Sequence, residues 1–132
     1  MAAEIRVLGP TGIEDFHAHL LRLDRKSCLP CMDDQGIDAH CLDLISKGAI
    51  LIGAFVNGMM RAAAEIVPDR SARRAEASIT VENGFEDRGL ERDLATQVID
   101  QARRYHLNNL RLHEHNAVRT FKIPVFELKA YA

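Results

Sequence analysis

The pair Asn57-Gly58, set between two apolar runs in "AILIGAFVNGMMRAAAEIV" (49–67), constrains the fold more than any other stretch of the chain. Asn-Gly is the preferred pair for a two-residue hairpin turn, because both central residues must take positive φ. Apolar runs on either side of such a pair predict two antiparallel strands. After the polar connection "PDRSARR" (68–74), "AEASITV" (75–81) alternates and predicts a further strand. The basic cluster within that connection reads as a solvated turn.

The remaining segments sort by period. "EIRVL" (4–8) predicts a first strand, ended by Gly9-Pro10. "TGIEDFHAHLLRLD" (11–24) predicts a helix, with Thr11 and Glu14 as a capping box and Ile13, Phe16, Leu20 and Leu23 at helical spacing. "RKSCLPCMDD" (25–34) has no period and reads as a loop. "QGIDAHCLDLISKG" (35–48) predicts a second helix that buries Ile37, Cys41, Leu44 and Ile45 and stops at Gly48. A third helix is expected over about 90–106, with Leu90, Leu94, Val98, Ala102 and Tyr105 on one face. Its acidic residues sit near the start and its basic residues near the end, which complements the helix dipole. "NNLRLHEH" (108–115) predicts a strand, "NAVRTFKI" (116–123) the beginning of a helix ended by Pro124, and "VFELKAY" (125–131) a last alternating segment. The order strand, two helices, hairpin, strand, helix, strand gives an α/β chain with a mixed sheet. No linker or repeat divides it, so residues 1–132 read as a single domain.

Composition narrows the function. The formal net charge is −2 and aromatic residues are 5%, which gives no case for nucleic acid or an anionic membrane surface. No apolar run reaches the roughly 20 residues of a bilayer span, and the start lacks a signal-peptide pattern, so the expected location is cytoplasmic. Three cysteines, Cys28, Cys31 and Cys41, argue against a disulfide framework. "CLPC" with His40-Cys41 has the residue types of a zinc site, and His113 and His115 alternate as strand ligands would. Adjacent His40 and Cys41 face different ways on a helix, and no third ligand accompanies the strand pair, so unlinked thiols and no metal are expected.

Between the strand at 75–81 and the third helix lies "NGFEDRGLER" (83–92). With that placement the chain resembles the GNAT acetyltransferase superfamily, over "EIRVL" through about "HEHNAVRTF". The family's loop pattern, Gln/Arg-x-x-Gly-x-Gly/Ala, falls on Glu86-Asp87-Arg88-Gly89-Leu90-Glu91. Gly89 keeps the pattern, while Glu86 and Glu91 replace its outer positions. The resemblance implies a GNAT-like, mostly antiparallel sheet flanked by helices, and acetyl-CoA as cofactor. It places the acetyl and pantetheine end along Ile79, Thr80 and Val81, and the pyrophosphate on backbone N–H groups of Arg88, Gly89, Leu90, Glu91 and Arg92. Unpaired N–H groups at a helix start suit that task. Asn116 matches a family position that opens a helix, and Ile123 stands where the family often carries an acid tyrosine.

What the resemblance implies for activity is acetyl transfer to a small-molecule or peptide amine. Glu76 and Glu82 are the candidate bases, with Glu65 behind them, since a carboxylate must take the amine's proton. His17, His19 and Asp24 lie where the family shapes its acceptor site, on helix surface that the sequence expects to be exposed. His113 and His115 would flank the cleft. The alternative reading is a non-catalytic member with an altered loop that acts through ligand binding or as a homodimer, with "VFELKAY" as a pairing edge.

Overall fold

Six strands lie in one sheet in the order in which the chain makes them, in a computed structural model that describes residues 3–23, 33–114 and 117–123. They are β1 (Glu4–Leu8), β2 (Ile50–Val56), β3 (Met59–Asp69), β4 (Arg74–Val81), β5 (Asn109–Glu114) and β6 (Ala117–Lys122). The helices are α1 (Ile13–Arg22), α2 (Asp34–Ser46) and α3 (Leu90–Arg104). All neighbours pair antiparallel except β4 and β5, which are parallel. Parallel neighbours need a crossover, and α3 provides it. This is the mixed, mostly antiparallel sheet that the sequence predicts. Among the described residues no helix is long and apolar enough to cross a membrane.

The sheet separates two apolar clusters. On one face α3 packs Leu90, Leu94, Val98 and Ala102 against Ile52, Ile66, Leu110 and Leu112. On the other, α1 and α2 bring Phe16, Leu20, Ile37 and Leu44 onto Leu51, Phe55, Met60 and Ala63. Ala62, Ala63 and Ala64, all buried, form the middle of β3. Their small side chains leave room for helices to approach both faces.

The Asn57-Gly58 turn has φ of 54° and 79°, the left-handed pair that a two-residue hairpin requires. The hairpin is not regular throughout. Ala54 pairs with Ala62 but Phe55 pairs with Met60, so Arg61 is an extra residue in β3. Such a bulge re-aims the side chain it carries.

Several boundaries differ from the sequence expectation. Thr11 and Glu14 make no capping box: the chain enters α1 through a 3-10 turn (Pro10–Gly12), Gly12 is the N-cap, and no side chain caps it. Gly12 is needed there because a Cβ would lie 2.5 Å from the Leu8 Cβ. α2 begins earlier than predicted, since the Asp33 carboxylate accepts from the Gly36 N–H at 2.7 Å. Ile45 is exposed and not on the buried face, which Ile37, Cys41 and Leu44 already fill. Tyr105 lies past the end of α3 and is also exposed.

The largest difference is at 116–123. The predicted helix start is a strand, β6, whose pairing with β5 runs from Asn109↔Lys122 to Glu114↔Ala117. Val118 and Thr120 are β-branched and suit a strand. A ladder on β5 satisfies backbone groups that one short turn of helix would leave unpaired. Cys28, Cys31, Asp24, His115, Asn116 and "VFELKAY" lie outside the described residues.

Candidate active site

The ladder between β4 and β5 stops before either strand does. Pairing runs from Arg74↔Asn109 to Ser78↔His113, yet β4 continues to Val81 and β5 to Glu114. Ile79, Thr80 and Val81 keep their partners on β3, Ala64, Ala63 and Ala62. Among the described residues their other edge has no strand partner, so backbone N–H and C=O groups there face a gap between the parting strands.

The chain then turns through Glu82, Asn83, Gly84 and Phe85, closed by Phe85 N–H to the Glu82 carbonyl at 3.0 Å. Glu86 folds back, accepting from the Gly84 N–H at 2.8 Å, so its carboxylate stabilises the turn. Asp87 and Gly89 are left-handed, with φ of 62° and 78°. Gly89 is the N-cap of α3 and no side chain caps the helix. The first helical bond is Asp93 N–H to the Gly89 carbonyl, at 3.0 Å. The N–H groups of Leu90, Glu91 and Arg92 precede it and carry the positive end of the helix dipole.

A groove of about 670 Å³ opens on the α3 side of this turn, lined among others by Val81, Phe85, Gly89, Glu91, Arg92 and Glu114. That volume is within the range of small-molecule sites, about 300–1,000 Å³. Phe85 is held between two guanidiniums, Arg61 at 4.8 Å and Arg88 at 4.7 Å from its ring centre. Arg119, ion-paired to Glu114, closes the far wall. Among the residues predicted to bind, Val81, Gly89, Leu90, Glu91 and Arg92 border the groove. Ile79 turns its side chain into the α3-side core, and Thr80 turns to the opposite face of the sheet.

On that opposite face the chain gathers polar groups that the sequence did not connect. Glu82 is 4% exposed. His19 Nδ1 lies 2.9 Å from its Oε2, Arg22 Nε donates at 3.0 Å and Arg61 Nη1 at 2.9 Å to its Oε1. The Arg61 bulge supplies this contact, and the Glu82 N–H also donates to the Arg61 carbonyl at 2.8 Å. Burial raises the Glu82 carboxyl, but the hydrogen bonds from His19, Arg22 and Arg61 outweigh it and bring it down to about 2. Glu82 is therefore a fixed anion at neutral pH.

His19 is fully buried, not exposed as its helix position suggested. Its Nε2 lies 2.8 Å from Thr80 Oγ1. His17 instead pairs with Asp38 of α2 at 2.6 Å. Glu76 is exposed, 3.6 Å from Arg111 and 3.8 Å from His113, on the paired part of β4 before the strands separate. The two candidate bases therefore occupy different settings, one solvated and one buried. Among the described residues no group of His, Cys, Asp and Glu is arranged to hold a metal ion, and Cys41 is a buried free thiol.

His40 Nε2 meets both carboxylate oxygens of Glu65, at 2.9 and 2.8 Å, and joins α2 to β3. The Glu65 hydrogen bond raises the His40 pKa against the opposing effect of burial. A raised folded pKa means the pair adds stability below the unfolded value of 6.5 and loses it as pH rises through the folded value. The native protein is expected to lose melting temperature as the pH rises above 6.5. Glu65→Gln should flatten that slope; an unchanged slope would remove the pair from the account.

No family model matches the chain, and no curated protein matches it in sequence. Solved structures do match. The Paia N-acetyltransferase of Thermoplasma acidophilum, in complex with coenzyme A, is 15% identical with a TM-score of 0.65, over 85% of this chain and 79% of that one. An acetyltransferase of the GNAT family from Streptococcus pneumoniae is 19% identical with a TM-score of 0.61, over 83% and 73%. YncA of Salmonella typhimurium, a protein solved with acetyl-CoA, is 19% identical with a TM-score of 0.58, over 85% and 69%. At these identities the likeness is one of fold, and the chain has the GNAT fold.

Proposed function

We propose that the protein is an N-acetyltransferase that moves an acetyl group from acetyl-CoA to an amine. The observation that carries this reading is the parting of β4 and β5 at Ile79–Val81, directly before an uncapped helix N-terminus. The two features suit the two ends of one ligand. Strand groups at Ile79–Val81, beyond the β5 ladder among the described residues, match an amide-bearing pantetheine arm, and the N–H groups of Leu90, Glu91 and Arg92 match a pyrophosphate. Arg88 and Arg92 add positive charge beside them, and Gly89 lets the backbone approach closely. Acetyl-CoA supplies an activated thioester. The chain supplies the holding groups and, at a backbone N–H near Val81, a donor for the carbonyl oxygen.

Glu91 is the observation that favours a second reading, a non-catalytic member whose loop no longer accepts the cofactor. Both Glu86 and Glu91 border the groove, but Glu86 accepts from the Gly84 N–H, whereas Glu91 sits in the first turn of α3. Calorimetry with acetyl-CoA separates the two. The expected result is binding by the native protein, tightened about fivefold by Glu91→Gln, the effect of removing about 1 kcal/mol of like-charge repulsion. Absence of native binding together with recovery in Glu91→Gln would sink the enzyme reading. Tight native binding would sink the non-catalytic one.

A further inference from the structure

Thr80, His19 and Glu82 stand in a line of two hydrogen bonds. Thr80 Oγ1 is 2.8 Å from His19 Nε2, and His19 Nδ1 is 2.9 Å from Glu82 Oε2. The protonation pattern follows from the partners. An ionised carboxylate only accepts, so His19 Nδ1 carries the hydrogen. In the neutral imidazole Nε2 is then an acceptor, and the Thr80 hydroxyl donates to it. Hydroxyl, imidazole and carboxylate thus have the roles and order of a charge-assisted base.

The line also leads somewhere. His19 is fully buried and Glu82 nearly so, but Thr80 is only partly buried and belongs to the three residues of β4 beyond the last one paired with β5 among the described residues. The hydroxyl is therefore the outer end of the chain. It lies on the face opposite the groove, so an acceptor reaching the gap from the α1 side would meet it. Neither Glu candidate fits a proton acceptor as well. Glu76 lies before the opening, and Glu82 accepts from two arginines and from the His19 N–H, which make its carboxylate weakly basic.

We infer that Thr80, His19 and Glu82 form a proton relay that deprotonates the acceptor amine as it attacks. The inference rests on the acetyltransferase reading above. As the amine nitrogen bonds to the thioester carbonyl carbon and the carbon–sulfur bond breaks, the nitrogen's proton passes to Thr80 Oγ1. The hydroxyl's own proton moves to His19 Nε2. Glu82 stays ionised and balances the imidazolium. The proton later leaves by the same route to water, and the departing thiolate takes one from water, so one is released and one consumed. Thr80 is the group that touches substrate; His19 and Glu82 act through it. The charged groups gathered round His19 are Glu82 just past the end of β4, Arg61 on β3 and Arg22 one turn on in α1, both arginines bound to Glu82.

Thr80→Val, which keeps the shape and removes the hydroxyl, tests this beside Thr80→Ser, with thiol release followed for an aliphatic diamine, a free amino acid, an alanine-ended peptide and water as acceptors. Thr80→Val is expected to lose about a hundredfold in kcat, the usual scale of a proton-transfer contribution. Its acetyl-CoA affinity and melting temperature should stay those of the native protein, and Thr80→Ser should recover most of the rate. Nitrogen NMR of the histidines in ligand-free protein gives a readout that needs no turnover: His19 should carry its proton on Nδ1, and its Nε2 resonance should move in Thr80→Val. Unchanged kcat in Thr80→Val, or a His19 protonated on Nε2 alone, overturns the relay. Acetyl-CoA binding with no thiol release to any of these acceptors overturns the relay and leaves the cofactor reading standing. Lack of acetyl-CoA binding overturns both.

Discussion

Glu82→Gln is expected to lower the unfolding free energy by about 3 kcal/mol, the scale of breaking a buried ion pair by removing one partner. The reason is local. One carboxylate serves His19, Arg22 and Arg61, and Gln leaves three donors around a single neutral oxygen. Arg22 and Arg61 keep some water, which limits the loss. His19 has none. The drop of the Glu82 pKa from 4.5 to about 2 gives the same scale independently, on the order of 3 kcal/mol near neutral pH. The sign is fixed by the direction. A depressed folded pKa contributes stability that is complete above 4.5 and disappears as the pH falls towards about 2. Denaturant unfolding at pH 7 and at pH 3 therefore separates the two proteins: the gap between native and Glu82→Gln should be wide at pH 7 and narrower at pH 3. A gap below about 0.5 kcal/mol at pH 7, the level of an ordinary surface substitution, would show that the cluster is not a stabilising unit.

That cluster marks the limit of what the sequence makes legible. Hairpin, meander and third helix follow from local signals, Asn57-Gly58 and the apolar periods, and the structure has them. The position of the loop before α3 follows from order along the chain, with a strand before and a helix after. The pairing of His19 with Glu82 and Thr80 joins residues more than sixty apart in sequence, and no local pattern reports such a distance. One signal was nevertheless present. Phe16, His19, Leu20 and Leu23 have the spacing of a single helical stripe, and that stripe is the buried face of α1. A histidine on it must find hydrogen-bond partners inside. Thr80 and Glu82 share the parity of β4 that faces α1, but β4 ends at Val81, so sequence alternation could not carry the face on to Glu82. The β6 segment differs from its local pattern for another reason. Its strand character comes from β5, through a pairing that local propensity does not contain.

Phe16→Ala is expected to cost about 3–5 kcal/mol, because Phe16 is 1% exposed and its removal leaves a cavity under α1. Ile45→Ala, on the outer side of α2, is a matched contrast: a large apolar residue, but 54% exposed, so the change should stay within about 0.5 kcal/mol. The two variants measured by denaturant unfolding decide the point, and equal losses would mean that α1 does not depend on this contact. The functional consequence divides by face. Phe16 belongs to the cluster between α1, α2 and the sheet, whereas the groove lies on the α3 side. A loosened α1 disturbs His19 and its bond to Thr80, but it leaves the loop at Gly89 in place. Under native conditions Phe16→Ala should therefore retain acetyl-CoA affinity while transfer to amines weakens. Equal loss of both would mean that the two faces are not independent, and the division of labour between cofactor groove and relay would fall with it.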